Sequence, residues 1–386
     1  MVKTNILITG GAGFIGSEIV TQLAECSDYD ITVLDSLEEH IHGQDSLNQS
    51  YLYKKIKDKC QFIHGSVTNL ETLKSALLNI EVVIHLASET GTGQSMYMIN
   101  QYNDVNIMGT SNLFQAISDM GFNSKVKKII LSSSRSVYGE GKYKCENDGF
   151  VYPKCRSEHD MLAGDYKVHC PICGSIVEPV STTEDSMISP SSLYAFTKYS
   201  QEMMIKTMAP SLNIDYTIFR FQNVYGVGQS LRNPYTGILS IFSTLLLENK
   251  PINIFEDGLE SRDFINVKDI ASGVILSIDN KNSNGKTLNL GTGIGTSVIS
   301  IVNCLKELYG SSSQVNITGD FRKGDIANNF ADISAAKEIL FFSPTITLQE
   351  GLTDFCKWVK CQEIDNSGYE QSLQEMKRSG MFISKS

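Results

Sequence analysis

The run Thr9-Gly10-Gly11-Ala12-Gly13-Phe14-Ile15-Gly16 constrains this chain more than any other. It follows a short apolar strand, Asn5 to Thr9, and opens a helix expected over Phe14 to Cys26. Gly11, Gly13 and Gly16 fit G-x-G-x-x-G, and Gly10, Gly13 and Gly16 fit G-x-x-G-x-x-G. The glycines permit a tight turn and let a pyrophosphate approach the helix N-terminus. Asp35 ends the next strand, Ile31 to Asp35. A carboxylate at that place accepts hydrogen bonds from the adenosine ribose hydroxyls and repels a 2′-phosphate, which favours NAD over NADP.

Short apolar runs and helical segments go on alternating through the first half. Strands are expected at Phe62–Gly65, Val82–Ala87, Lys128–Ser133 and Tyr216–Phe221, with helices at Leu70–Leu78, Asn103–Met120 and Tyr194–Met208. This alternation predicts an α/β fold, a Rossmann-like doubly wound parallel sheet covered on both faces. The organisation expected is an NAD-binding domain over 1–226 with a cysteine-bearing insertion at 141–190. A smaller C-terminal α/β substrate-binding domain follows over 227–361, some of its elements returning to the sheet. The polar stretch 362–386 reads as a surface tail.

A net charge of -10 argues against a nucleic-acid or anionic-membrane surface. No apolar run approaches the roughly 20 residues that span a bilayer. The start of the chain lacks a signal-peptide pattern, so a cytoplasmic location is expected, with Cys26, Cys60 and Cys304 as buried thiols rather than disulfides.

Tyr194 and Lys198 form a Tyr-x-x-x-Lys pair, 60 residues after Ser134 in the run Ser132-Ser133-Ser134-Arg135-Ser136-Val137-Tyr138-Gly139. Spacing of four places both side chains on one helix face. With the glycine loop, they supply a cofactor, a base and a place to transfer a hydride. Ser132 and Ser133 read as strand-end residues that satisfy backbone groups.

Cys145, Cys155, Cys170 and Cys173 lie within 29 residues of the insertion, the last two in Cys170-Pro171-Ile172-Cys173-Gly174. Four such cysteines can hold zinc tetrahedrally, with His159 and His169 as alternative ligands. Free or redox thiols are the other reading. Zinc here would staple a loop rather than do chemistry.

These pieces come in an order that resembles the extended short-chain dehydrogenase/reductase superfamily, in its branch of NAD-dependent sugar-nucleotide epimerases and dehydratases. The carriers are the glycine loop, Asp35, His85-Leu86-Ala87, Asn106 before Gly109-Thr110, the serine run, and Tyr194 with Lys198. Arg220-Phe221-Gln222-Asn223-Val224-Tyr225-Gly226, Arg262-Asp263-Phe264-Ile265 with Val267 and Asp269, and Arg322 before Gly324-Asp325 complete them. Within the branch, Glu89-Thr90-Gly91-Thr92-Gly93-Gln94-Ser95-Met96, Gly228-Gln229-Ser230-Leu231, Asn233-Pro234-Tyr235-Thr236-Gly237-Ile238 and the insertion resemble the dTDP-L-rhamnose 4-epimerases.

The resemblance implies Tyr194 as base and Lys198 as the cation that favours its phenolate and holds the nicotinamide ribose. It implies Ser134 as the residue that binds the substrate hydroxyl and helps pass its proton. Gly10, Gly13, Phe14, Ile15, Gly16, Asp35, Ser66, Val67, Leu86 and Ala87 would join Tyr194 and Lys198 around NAD. Ser66 stands where the family often has an aspartate. Thr90, Gln94, Ser134, Asn223, Arg262 and Arg322 would bind the nucleotide sugar, with Asp325 paired to an arginine. A homodimer is implied, packed through the helices near 103–120 and 194–208.

The family's dehydratases carry acids right after the position of Ser134. Arg135 and Ser136 cannot serve there, which disfavours dehydration. Arg135 either faces a substrate oxygen or salt-bridges a neighbour. The activity implied is 4-epimerisation by transient C4 oxidation, interconverting dTDP-L-rhamnose and dTDP-6-deoxy-L-talose. The alternatives are another UDP-, GDP- or CDP-sugar epimerase, a nucleotide-sugar 4-reductase, and a silent NAD-binding module.

Overall fold

Seven short apolar runs pair into one parallel sheet: β1 (Thr4–Thr9), β2 (Tyr29–Asp35), β3 (Gln61–His64), β4 (Val82–His85), β5 (Lys128–Ser134), β6 (Asp215–Phe221) and β7 (Lys286–Leu290), in the order β7-β6-β5-β4-β1-β2-β3. This computed structural model describes residues 3–231, 237–362 and 367–385; the segment 233–236 quoted above lies outside them. The strand order reverses between β1 and β4, and a sheet of this kind takes its ligand in the crevice beyond the strand ends at such a switch point.

Alternation along each strand sends successive side chains to opposite faces. On one face Ile6, Ile8, Val33 and Ile84 are buried against helix α1 (Phe14–Leu23). On the other, Leu7, Val83 and Leu131 are buried against α2 (Gly109–Met120) and α3 (Leu193–Ser211). The first face also receives Ile270, Ala271 and Val274 of α4 (Val267–Leu276), with Leu288 and Leu290 of β7. Sequence beyond 227 therefore supplies an edge strand and a covering helix to the large sheet. The rest of that region forms a second core around Leu239, Phe242, Phe264, Ile301 and Phe355.

Two expectations are corrected. The helix expected from Asn103 begins as a π-helical turn, Asn103–Met108, before α2. The expected surface tail carries α5 (Ser367–Arg378) and a strand, Phe382–Ile383, antiparallel to Phe321–Arg322. Met376 and Phe382 are buried. Tyr369, Leu373 and Met376 stand at helical spacing, but three apolar positions in an otherwise polar stretch are a weak signal, and its strand partner lies some 60 residues upstream.

The insertion forms a small antiparallel sheet of Tyr143–Cys145, Gly149–Val151 and Glu178–Pro179. Among the described residues, no helix is long and apolar enough to cross a membrane.

Candidate active site

Two cavities of about 370 Å³ each open over the carboxyl ends of the strands, and Ser134, Tyr194, Gln222, Val224 and Gln229 line both. The first runs from the glycine loop to Lys198. All twelve residues expected around NAD line it: Gly10, Gly13, Phe14, Ile15, Gly16, Asp35, Ser66, Val67, Leu86, Ala87, Tyr194 and Lys198. A Cβ on Gly10 (φ 69°) would stand 2.7 Å from the Ala87 backbone nitrogen, and one on Gly16 only 2.4 Å from the Gly10 carbonyl oxygen. Helix α1 starts at Gly13 without a side-chain cap, so its first-turn N–H groups are left for an anion. Asp35 accepts from the backbone N–H groups of Ala12 and Leu37, each at 2.9 Å, which fixes its carboxylate at the cavity's far end. An uncapped helix start, a cradle closed to any Cβ and a carboxylate beyond it fit a dinucleotide without a 2′-phosphate.

Lys198 is buried and donates from Nζ to the Ser132 carbonyl at 2.9 Å. Burial, opposed by Glu202, pulls its ammonium down to about 7. Burial pushes the Tyr194 phenol up, and the groups that oppose this are a hydrogen bond with Ser134 and the Arg135 guanidinium. Arg135 is thus a second cation beside the phenol, besides the Lys198 that the sequence points to. Ser134 Oγ also accepts from the Ser136 N–H at 3.2 Å.

A buried polar platform holds these groups. Asn106, in the π-helical turn, accepts at Oδ1 from the Glu89 N–H (2.8 Å) and donates to Thr197 Oγ1 (2.9 Å). It joins the 88–90 loop to the helix of Tyr194; π-turns recur at such sites. Ser132 donates to the His85 carbonyl at 3.3 Å, as a strand-end serine should. Ser133 instead donates to buried Glu202 at 2.6 Å. Arg220 grips the same carboxylate in a fork, 2.9 and 2.8 Å.

Three arginines, Arg135, Arg262 and Arg322, line the second cavity together with Asp325, Glu256 and Glu260. Ser134, Asn223, Arg262 and Arg322 of the expected substrate set line it. Arg322 pairs with Asp325 at 2.9 Å and Arg262 with the same carboxylate at 3.3 Å. Burial alone would raise Asp325, but Arg322, Arg262, Arg156 and Arg135 hold it down to about 2. Arg262 also donates to the carbonyls of Ser261, Ala327 and Ile326, so its fork is fixed. Arg135 donates from Nε to Asn223 Oδ1 at 3.1 Å and forms no ion pair among the described residues; it faces the cavity. Thr90 lines the first cavity rather than the second. Gln94 lines neither: its Oε1 accepts from Tyr102 Oη at 3.1 Å, because the short helix Thr92–Ser95 turns it inward, and Gly91 and Thr92 take its place.

Several lining residues carried no role in the sequence reading. Gln222 is buried between the cavities with both amide atoms unpartnered among the described residues. Its place beside Asn223 was the available signal. Glu256 and Glu260 line the second cavity, and burial beside Glu256 pushes Glu260 up to about 8. Glu256 sits at φ 52°, a conformation rare for a side-chain-bearing residue, and is gripped by both terminal nitrogens of Arg156 from the insertion. Met376 of α5 closes the same cavity. No local pattern announced that Arg156 or Met376 would reach this site.

In the insertion, Cys145, Cys170 and Cys173 converge, with ligand atoms within 4.8 Å of one another. Cys155 does not join them. It lies past the strand Gly149–Val151, and the tight hairpin brings Asp148 to the cluster instead. His169 is held by Asp165 and the Gly174 carbonyl, and His159 is exposed beside Asp160, so neither expected alternative is a member.

Comparison with known proteins gives a consistent picture. Residues 6–156 and 171–291 match the pattern described as NAD dependent epimerase/dehydratase family, which skips the middle of the insertion. A dTDP-L-rhamnose 4-epimerase of Burkholderia thailandensis is 34% identical over 363 residues, 93% of this chain and 96% of that protein. A UDP-glucuronate 4-epimerase of Thermodesulfobacterium geofontis is 30% identical over 92% of this chain and 95% of its own length. Among solved structures, UDP-glucuronic acid 4-epimerase from Bacillus cereus, in complex with UDP-glucuronic acid and NAD, superposes with a TM-score of 0.74 at 27% identity, covering 92% of this chain and 99% of that one.

Proposed function

This chain belongs to the NAD dependent epimerase/dehydratase family, and from that premise we propose that it is a nucleotide-sugar 4-epimerase interconverting dTDP-L-rhamnose and dTDP-6-deoxy-L-talose. The observation that carries the reading is the meeting of a dinucleotide-shaped cavity and an arginine-lined one at Ser134 and Tyr194. NAD, when bound, supplies the acceptor and then the donor of one hydride. The Tyr194 phenolate takes the proton from the sugar's C4 hydroxyl, while Ser134 holds that hydroxyl and relays the proton. Arg135 stabilises the phenolate. Arg322 grips the diphosphate, and Arg262, its terminal nitrogens already held by three carbonyls and Asp325, adds positive charge beside it, so the sugar can turn over while its anchor stays fixed. When the hydride returns to the opposite face of C4, Tyr194 gives the proton back. Gln222 meets the sugar or the nicotinamide amide with its unpartnered side chain. A homodimer through α2 and α3 is supported by exposed Phe196, Met203 and Met208 on α3.

The test is incubation with dTDP-L-rhamnose, with the sugar followed by NMR. The expected result is dTDP-6-deoxy-L-talose and no net gain or loss of reduced nicotinamide. Turnover of UDP-sugars only would overturn the sugar assignment, and stoichiometric consumption of reduced nicotinamide would overturn epimerisation.

A further inference from the structure

The insertion brings three sulfurs and one carboxylate oxygen to a point. Cys145 Sγ lies 3.5 Å from Cys173 Sγ and 3.4 Å from Asp148 Oδ2, and Cys170 Sγ lies 3.2 Å from the same oxygen. Ligands at ~2.3 Å around a tetrahedral zinc stand ~3.8 Å apart, close to these separations. The Cys145–Cys173 sulfur separation is far beyond a disulfide bond, and pairing two of the three would strand the third. Donors already face the sulfurs: the Ile172 N–H lies 3.4 Å from Cys170 Sγ, Ser175 Oγ 3.0 Å from Cys173 Sγ, and Asn147 Nδ2 3.8 Å from Cys173 Sγ. Such groups orient and stabilise metal-bound thiolates. The insertion's own core is small, consisting of Tyr143, Val151, Val168, Val177 and Ala327 besides two of the cysteines. A segment with so little apolar area to bury is of the kind that needs a staple.

We infer that Cys145, Asp148, Cys170 and Cys173 form a structural zinc site. Three thiolates and a carboxylate suit a borderline-soft ion and complete a tetrahedron, leaving no open position for catalysis. The ion reaches the active site through packing. Ala327, in the same small core, donates its N–H to Glu140 at 2.8 Å and gives its carbonyl to Arg262 at 2.8 Å; Tyr143 donates to the same Glu140 oxygen at 2.6 Å. The zinc site thus positions Arg262. That consequence rests on the function proposed above, whereas the site itself does not.

The test uses the full chain purified without chelator. Elemental analysis should give about one zinc per chain, and exchange for cobalt(II) should give the intense visible bands of a tetrahedral thiolate site. Cys173→Ser, at an exposed ligand, and Asp148→Asn should lower metal content and alter the cobalt spectrum. Gentle chelation of the wild-type protein should raise KM for the nucleotide sugar on the order of tenfold, with NAD content unchanged and kcat little moved. Protein that holds no zinc, takes up no cobalt and shows all nine cysteines as free thiols overturns the site. So does metal retained at full stoichiometry in a Cys170→Ser/Cys173→Ser double variant. Zinc bound with an unchanged KM after its removal overturns the link to Arg262 alone.

Discussion

The two cavities that meet at Tyr194 are built by opposite means. The cofactor side is built on backbone at its pyrophosphate and ribose end: a glycine turn, an uncapped helix start and a strand-end carboxylate, all within Gly10 to Asp35. The other side is long charged side chains around Asp325, drawn from the serine run (Arg135), the insertion (Arg156), and the later strands of Arg262 and Arg322. An invariant ligand can be held by local backbone geometry. A ligand that differs between relatives is met by side chains brought from far apart, each replaceable without disturbing the turn that holds NAD.

The largest effect that could sharpen this division is at the junction. Tyr194→Phe should cut kcat by roughly 10² to 10⁴ while bound NAD, measured after denaturing release, stays as in the parent; a matching loss of NAD would break it. Next, Arg322→Ala should raise KM for the nucleotide sugar about 10- to 100-fold, again with NAD retained, as steady-state kinetics would report. Arg135→Gln removes a cation that opposes the upward push on Tyr194. The rising limb of the pH profile of kcat/KM should move to higher pH, by roughly one unit. An unmoved limb would leave that role to Lys198 alone.

The last effect lies on the cofactor side and is read in stability rather than in rate. Burial lowers folded Lys198 to about 7 from an ordinary 10.5. Between those values the unfolded chain binds a proton that the folded one does not, so the stability of cofactor-free protein gains with rising pH through that window. Lys198→Met should remove that gain, seen in denaturant titrations across the range.

The same contrast decides what was legible in the sequence. Strands β1 to β6, the glycine loop with Asp35 and the Tyr194–Lys198 pair were readable from local spacing, whereas Ser66, Val67, Leu86 and Ala87 came only from the family resemblance. Asp148 was missed because a lone carboxylate has no spacing signature, and Cys155 was taken in its place because cysteines do attract notice. Gln94 was misplaced because a four-residue helix, too short to read from periodicity, turns it inward. α5 was missed because burying Met376 requires a cleft that only the folded chain provides.

Strand β7 and helix α4 have a consequence for modularity. They come after residue 227 yet complete the large sheet, β7 pairing along β6 from Thr217 to Phe221 and α4 sharing the core of α1. A recombination event or a proteolytic cut that separated the halves near 227 would not release a free-standing nucleotide-binding module. It would bare the hydrogen-bonding edge of β6, with Ile218 and Phe219 on it, as a template for aggregation. Loops and the insertion can vary around this scaffold, but the halves must be inherited together.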